Sequence, residues 1–180
     1  MKLRRPLADG AIALKALDPS AADGPYLAWM NDATVSQFLE SRFTAHSVES
    51  LVRFIDASNE APHILLAGIF LDGRHVGNIK LTLDMHHQRA EIGIVVGDLA
   101  VWGRGVGRTA IKLASAYAVE ELGITKLSAG CYAGNVGSIR AFEAAGFHRE
   151  AVRPGHYIVD GKRVDGVYLA RFAADTVGRA

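Results

Sequence analysis

Residues 95–109 read VVGDLAVWGRGVGRT, with Gly103, Gly105 and Gly107 at alternate positions. Just upstream, AEIGIVV (90–96) is short, β-branched and apolar, which predicts a buried strand. Downstream, AIKLASAYAVEEL (110–122) has apolar residues at helical spacing, which predicts an amphipathic helix. The stretch is therefore a strand, a glycine-rich loop and a helix in succession.

A loop of this kind is suited to bind an anion. The first N–H groups of a helix have no partners within the helix, and the positive end of the helix dipole favours negative charge. Glycine lets the backbone approach a ligand closely. Arg104 and Arg108 add positive charge, although both are also compatible with a solvated position. We expect a phosphate or pyrophosphate site, and a tight turn without ligand is the alternative.

Two other phosphate-binding motifs are excluded. Counted from either of the first two glycines, the last glycine of a G-x-G-x-x-G fingerprint falls on an arginine or an alanine. The only Gly-Lys pair, at 161–162, is followed by Arg163, whereas a P-loop needs Ser or Thr there. The chain therefore has neither the dinucleotide fingerprint nor the P-loop.

Composition indicates one soluble globular domain, which we expect to comprise residues 1–180. Apolar residues make up 49% and charged residues 22%, and the net charge of +1 gives no electrostatic case for nucleic acid or a membrane surface. No apolar run approaches the roughly 20 residues of a membrane helix. Cys131 is the single cysteine, which fits a reducing cytoplasm, and the seven histidines show no metal-site spacing.

The order of elements predicts an α+β fold. AIALKAL (11–17) is the first strand, two short helices follow, and Ser47 is placed to cap a third. Asp72-Gly73 and Asp160-Gly161 indicate hairpin turns. Antiparallel strands thus lead into one β–α–β crossover around the glycine loop, so the sheet should be mixed with a single parallel step.

Three pieces of sequence resemble the GNAT N-acetyltransferase superfamily, and more narrowly its RimJ/RimL-like branch. They are WGRGVGRTA (102–110), NVGSIRAFEAAGF (135–147) and the closing hairpin HYIVDGKRVDGVYLARF (156–172). The resemblance covers roughly residues 10–172. It implies an α/β/α sandwich with a mostly antiparallel, twisted sheet of about seven strands, a central splayed parallel pair and about four flanking helices.

The chain departs from the family pattern at three places. Trp102 stands where the superfamily usually has Gln or Arg, as is common in the RimJ/RimL-like branch. Arg108-Thr109 replaces the Thr-Glu that the branch often has. Phe142 occupies the position at which many members have a general-acid tyrosine, which directs attention to Ser138.

The resemblance implies acetyl-CoA as the donor, with no metal. Its pyrophosphate would lie on the N–H groups of Arg104 to Arg108, and its pantetheine arm would pair with the backbone near Ile94 to Val96. The implied cofactor-binding residues are Ile94, Val95, Val96, Trp102, Gly103, Arg104, Gly105, Val106, Gly107, Arg108, Asn135, Ser138 and Phe142.

The implied reaction is direct attack of a primary amine on the thioester in a ternary complex. Glu91, His86 and Asp84 are candidate bases. A solvated or structurally paired carboxylate is the alternative for Glu91, and an ordinary surface histidine is the alternative for His86. Ser138 is the candidate acid, or else an early-helix residue, and Asn135 is an N-cap, a pantetheine contact or both. We expect Cys131 to be a buried structural thiol.

The acceptor is less well defined. Segments that bind it in the superfamily hold Trp29, Asn31, Glu40, Arg42, Phe43, His86, His87, His156 and Tyr157. Of these we take Trp29, Arg42, Phe43, His87 and Tyr157 as candidate substrate-binding residues. The resemblance favours a small molecule such as a nucleotide-linked amino sugar. A protein N-terminus, ribosomal protein included, and a non-catalytic acyl-CoA sensor are the alternatives. Exposed strand edges are compatible with a homodimer.

Overall fold

The computed structural model describes residues 1–173, which form an eight-stranded sheet with helices on both faces. The last residues of the predicted domain, 174–180, lie outside the described residues. The strands are β1 (Leu7–Asp9), β2 (Ile12–Ala16), β3 (Ile64–Leu71), β4 (Arg74–Asp84), β5 (Arg89–Val96), β6 (Lys126–Tyr132), β7 (His148–Val159) and β8 (Lys162–Phe172). The helices are α1 (Pro25–Asn31), α2 (Ala33–Ser36), α3 (Val48–Glu60), α4 (Val106–Leu122) and α5 (Val136–Ala144), with short 3₁₀ turns at Pro19–Ala22, Glu40–Phe43 and Leu99–Val101.

The sheet has the mixed topology that the sequence predicts. Its strand order is β1-β2-β3-β4-β5-β6-β8-β7, and only β5 and β6 pair in parallel within the described residues. The prediction of about seven strands is low by one, because residues 7–16 fold as a hairpin with Leu7 opposite Leu14. The described part contains five α-helices, and Asp32 lies between the two short ones that the sequence predicts.

Local signals in the sequence account for several boundaries. The Asp32 side chain accepts hydrogen bonds from the N–H groups of Thr34 and Val35 and so caps α2. Ser47 caps α3 through a reciprocal bond with Ser50. Both predicted hairpin turns are confirmed, with φ angles of 48° and 79° at Asp72-Gly73 and 49° and 73° at Asp160-Gly161. Two successive positive φ angles are typical of type I′ turns.

Pairing between β5 and β6 ends early. Three residue pairs form, from Arg89 opposite Lys126 to Glu91 opposite Ser128. Beyond them the two strands no longer pair with each other, although β5 continues to Val96 and β6 to Tyr132. On its other side β5 stays paired with β4 over eight residues, up to Val96. A gap therefore opens between the carboxyl ends of the two parallel strands.

The two faces of the sheet carry separate cores. On one face, residues such as Ile92 of β5 and Ala129 of β6 pack with α4 and α5 in the larger cluster. On the other face, Leu66 packs with α1 and α3, and Val95 of β5 joins this smaller cluster. Because side chains alternate along a strand, successive residues at the gap point to different cores. None of the helices in residues 1–173 combines the length and hydropathy needed to cross a bilayer.

Trp29 of α1 fixes the smaller core to the end of β5. A Cβ atom at Gly97 would lie 2.0 Å from Cδ2 of the Trp29 ring, so the indole rests directly on the glycine. The Trp29 ring also meets His75 edge-on at a centroid distance of 5.2 Å. Trp29 is 9% exposed, so its ring packs in the smaller core, and its part in substrate binding stays a prediction.

Replacing Gly97 by Ala should therefore lower the free energy of unfolding by about 1–3 kcal/mol, the usual cost of overpacking a core. The matched control is Gly93→Ala on the same strand, where an added Cβ meets nothing within 4 Å. Urea denaturation followed by tryptophan fluorescence measures both. Equal stability of the two variants would contradict the packing described here.

Candidate active site

The glycine loop is tied to the end of β5. The N–H of Gly97 donates to the Val76 carbonyl at 2.9 Å, and Asp98 caps the following 3₁₀ turn through Ala100 N–H at 2.9 Å. The Trp102 indole Nε1 then donates to the Val96 carbonyl at 2.8 Å, while almost half of the side chain remains exposed. Trp102 thus holds the loop against the last residue of the strand.

The first residues of α4 have N–H groups that the helix itself does not use. Gly103 and Gly105 have φ angles of 75° and 80°, which L side chains rarely adopt, and Gly105 is the N-cap. The helical hydrogen bonds begin with Thr109 N–H to Gly105 O at 3.0 Å. The N–H groups of Val106, Gly107 and Arg108 precede that bond and are unused by the helix.

The loop differs from the sequence-based expectation at one position. The N–H of Arg104 donates to the Val101 carbonyl at 3.3 Å, so it closes the turn after the 3₁₀ turn and does not join the donors at the start of α4. The predicted cradle of residues 104–108 is thereby reduced to N–H groups from Gly105 onwards. Both arginine side chains are exposed, and that of Arg108 lies over Gly105, with Nη2 3.5 Å from the site of an added Cβ.

The start of α4 lies against the gap between β5 and β6. A Cβ at Gly107 would be 3.7 Å from Val96 Cγ2, 4.0 Å from Ile94 Cδ1 and 3.8 Å from Ala141 Cβ of α5. The structure therefore brings the glycine loop, the end of β5 and α5 together at one place. These three segments carry most of the residues that the sequence assigns to cofactor binding.

Strand alternation shows which backbone groups of β5 face the gap. The Leu83 N–H donates to the His63 carbonyl, on the side of β3, whereas the Val76 carbonyl accepts from Gly97 N–H, on the side of β5. The even-numbered residues of β4 therefore bond to β5. The residues of β5 opposite them are odd-numbered and bond back to β4. The N–H and C=O groups of the even-numbered Ile94 and Val96 therefore point to the other side, toward the gap. The Val96 carbonyl accepts from the Trp102 indole. The Val96 N–H and the N–H and C=O groups of Ile94 are left facing the gap.

Ser138 lies in the first turn of α5, on the face of the sheet that holds α4. Asn135 caps this helix by accepting from Ser138 N–H at 3.1 Å, and Ser138 Oγ is 3.5 Å from Cys131 Sγ on β6. Burial raises the pKa of the Cys131 thiol, and the contact with Ser138 opposes this only in part. Cys131 is 4% exposed, as expected for a structural thiol.

Phe142 does not line the gap. Its ring is 2% exposed and meets Phe147 edge-on at 5.1 Å, inside the larger core. Phe142 therefore packs in the core, and its predicted part in cofactor binding stays a prediction. Phe142 supports the helix that carries Ser138.

The opposite face of the gap forms a floor that has no side chains at Gly93 and Gly130. Glu91, Gly93 and Val95 of β5 point to this face, and so do Gly130 and Tyr132 of β6, because their neighbours in sequence belong to the larger core. An added Cβ at Gly93 would meet nothing within 4 Å. The exposed Glu91 carboxylate lies at the end of this floor where the two strands are still paired.

An aromatic cluster stands beside that floor. The Tyr132 and Tyr157 rings stack at a centroid distance of 3.9 Å. Arg42 donates to the Tyr132 hydroxyl at 2.8 Å and to the Ile158 carbonyl at 3.3 Å, and its guanidinium lies 4.2 Å from the Phe43 ring centroid. Three of the candidate substrate-binding residues, Arg42, Phe43 and Tyr157, are therefore close together.

Sequence reasoning missed the residue at the centre of this cluster, Tyr132. Its hydroxyl donates to Glu40 while accepting from Arg42, and burial together with the Glu40 carboxylate raises the pKa of the phenol. The available signal was its position as the last residue of a parallel strand, where binding sites of open sheets collect.

His86 and His87 are not brought to the gap. Both lie in the turn before β5, and the eight residues from Arg89 to Val96 span about 23 Å, seven steps of roughly 3.3 Å. In that turn the Asp84 carboxylate accepts from His87 N–H at 3.2 Å and pairs with Arg89 at 3.0 Å. The structure thus separates both histidines from the residues they were expected to join.

Comparison with known proteins agrees with this geometry. The family model of the acetyltransferase (GNAT) domain matches residues 12–148. A probable N-acetyltransferase of Bacillus subtilis, YjcK, is 35% identical over 107 residues, which are 57% of this chain and 59% of the relative. The chain thus spans less than two thirds of the length of that curated relative.

Solved acetyltransferase structures share the fold. RimL, a ribosomal L7/L12 α-N-protein acetyltransferase in complex with coenzyme A, superposes with a TM-score of 0.84 at 16% identity, covering 93% of this chain and 98% of that one. MccE, the microcin C7 self-immunity acetyltransferase in complex with acetyl-CoA and AMP, gives 0.78 at 19% identity, covering 92% and 94%. At these identities the likeness shows the fold.

Proposed function

Because this chain belongs to the GNAT acetyltransferase family, we propose that it transfers the acetyl group of acetyl-CoA to a primary amine. The observation that carries the proposal is the position of three unused N–H groups, those of Val106, Gly107 and Arg108, at the mouth of the gap between β5 and β6. A diphosphate suits such donors, and an extended amide chain suits the free backbone of Ile94.

The residues present fit coenzyme A along its length. The outward N–H groups and the exposed Arg108 would hold the diphosphate. The pantetheine amides would pair with Ile94 in the gap, where β6 is too far away to do so. The thioester would then lie near the level of Cys131 and Ser138, three residues beyond the last parallel pair.

The proposed chemistry uses both faces of the sheet. A free alkyl amine has a pKa near 10, so only about one molecule in a thousand is neutral at pH 7. Glu91 remains the candidate base on the open floor, and His86 is disfavoured by its distance. The amine nitrogen bonds to the acetyl carbon, the C–S bond breaks, and the Ser138 hydroxyl is the candidate proton donor to the sulfur. The Val96 N–H is a candidate donor to the oxyanion.

We favour a small-molecule acceptor. Arg42 ties the Glu40–Phe43 turn to β6 and β7 and so closes one end of the floor, whereas a peptide needs an open groove. Phe43 is 72% exposed and offers a stacking surface for a base or sugar. Arg42 itself is occupied by Leu39, Tyr132 and Ile158, so it shapes the site instead of supplying a free charge. We propose a nucleotide-linked amino sugar as the acceptor. We also propose that the chain belongs to the RimJ/RimL-like branch and acts in the cytoplasm.

Substituting Gly105 should weaken acetyl-CoA binding at least about 10-fold, because an alanine resists φ near 80° and shifts the first N–H groups of α4. Gly123→Ala is the matched control, since Gly123 caps the other end of α4 with φ 68°. Both variants should lose about 1–2 kcal/mol of stability. Calorimetric titration compares their affinities, and an equal loss of affinity in the two would refute the assigned role.

The acceptor class is tested by CoA release from acetyl-CoA in the presence of a nucleotide-linked amino sugar, spermidine or an N-terminal peptide. We expect turnover with a small amine, because the Arg42 contacts close the floor. Mass spectrometry of the product provides the control for simple hydrolysis. Turnover with the peptide alone would refute the small-molecule proposal, and binding without any turnover would favour the sensor alternative.

A further inference from the structure

Lys80 of β4 stands on the same face of the sheet as the floor. Its partner on β5 is Gly93, one of the two glycines of the floor, and its partner on β3 is Leu66, which belongs to the smaller core. Paired residues of neighbouring strands turn their side chains to the same face, so the Lys80 side chain leaves the sheet beside Gly93. Neighbouring strands lie about 4.8 Å apart, so Lys80 is one strand away from the edge of the gap.

The Lys80 ammonium has no partner among residues 1–173. It takes part in none of the ion pairs or hydrogen bonds in that part of the chain. Glu91 is only its diagonal neighbour, because Thr82 is the residue that pairs with Glu91. The Lys80 side chain is half-buried, and a charge in that position is stabilised by an opposite charge. Because an ammonium has three donor hydrogens, Lys80 is available to bind an anion.

Two arginines near the floor are already engaged. Arg42 donates to the Leu39 carbonyl at 3.0 Å, besides its bonds to Tyr132 and β7. Arg153 donates to the Tyr168 hydroxyl at 3.2 Å and lies 4.1 Å from that ring centroid. Each guanidinium therefore spends its donors on fixing the fold, whereas those of Lys80 are unused within residues 1–173.

The floor between Lys80 and the gap is open. Gly93 is exposed, and an added Cβ there would meet nothing within 4 Å. Extending the register of β5 and β6 by two residues places Gly130 level with Gly93 across the gap. On that far side the floor is bounded by tyrosines, with Tyr168 Cε1 3.3 Å and Tyr157 Oη 3.7 Å from where a Cβ of Gly130 would be. A ring-sized group can therefore lie over the glycines, with one end at the gap and the other at Lys80.

From this geometry we infer that Lys80 binds a phosphate group of the acceptor, so that the preferred acceptors are amines that also carry a phosphate. The inference rests on the proposed acetyl transfer and names the charge that its acceptor site selects. In a nucleotide-linked amino sugar, one sugar ring separates the amine from the diphosphate. The amine can thus enter the gap, within reach of the thioester, while the diphosphate lies at Lys80.

The contact with Lys80 contributes to binding and not to the chemical step. The phosphate keeps its charge while the acetyl group moves, so the lysine stabilises the bound acceptor and the transition state equally. Loss of such a contact raises KM and leaves kcat unchanged. A hydrogen bond between charged groups at a half-buried site corresponds to about 10-fold in affinity.

The kinetic test compares wild type with Lys80→Met, which keeps the stem of the side chain and removes its charge. The probes are glucosamine, glucosamine 1-phosphate and UDP-glucosamine, which carry the same amine and differ in negative charge. We expect the variant to raise KM about 10-fold for the two phosphorylated amines and to leave kcat/KM for glucosamine within about 2-fold of wild type. Lys15→Met is the matched control, because Lys15 is exposed on β2, two strands from Lys80 on the same face.

A binding test needs no turnover. The protein is first saturated with coenzyme A, so that the start of α4 is occupied, and is then titrated with UDP in a calorimeter. UDP should bind wild type about 10-fold more tightly than Lys80→Met, and Lys80→Arg, which keeps the charge, should retain most of the affinity. Uridine, which lacks the phosphates, should not distinguish wild type from Lys80→Met, and inorganic pyrophosphate shows how far the diphosphate suffices without the nucleoside.

The outcomes separate this inference from the proposed function. Equal affinity of UDP for wild type and Lys80→Met would overturn the inference and leave acetyl transfer standing. A lower kcat of Lys80→Met with all three amino sugars would show that the lysine acts on the chemical step, for example through Glu91, and would also refute the phosphate contact. Absence of CoA release with every amine, while UDP still binds through Lys80, would overturn the proposed transfer alone.

Discussion

Only three pairs of residues join β5 to β6, and the rest of the site depends on that short pairing. Beyond Glu91 and Ser128 the strands continue apart, so backbone groups of Ile94 and Val96 that would otherwise bond within the sheet face a gap. Unpaired backbone is costly unless it finds a partner. Part of that requirement is met within the chain, where the Trp102 indole takes the Val96 carbonyl.

The gap also explains why chemistry is divided between two faces. Alternation along β6 turns Cys131 toward α5 and Ser138, and turns Tyr132 toward Glu40 and Arg42. A thioester held in the gap would be reachable from both sides at once. Under the proposed function, one face would offer the Ser138 hydroxyl to the leaving sulfur, and the other a floor bounded by Glu91 and the aromatic cluster.

Sequence reasoning succeeded where the physics is local. The φ angle of Gly105, the capping of α5 by Asn135 and the hairpin at Asp72-Gly73 follow from a few neighbouring residues. It failed where contacts join distant segments, as in the bond from Arg42 to Tyr132, 90 residues away. The position of His86 could not be predicted for a related reason, because residue type indicates a base but only topology shows which end of β5 holds it.

Backbone amide NMR during titration with coenzyme A tests the central claim directly. If the start of α4 holds the diphosphate, the amide signals of Val106, Gly107 and Arg108 should shift most strongly and saturate together with calorimetric binding. Arg104, whose N–H is bonded to Val101, should shift less. Saturation of binding with these three signals unmoved would contradict the account.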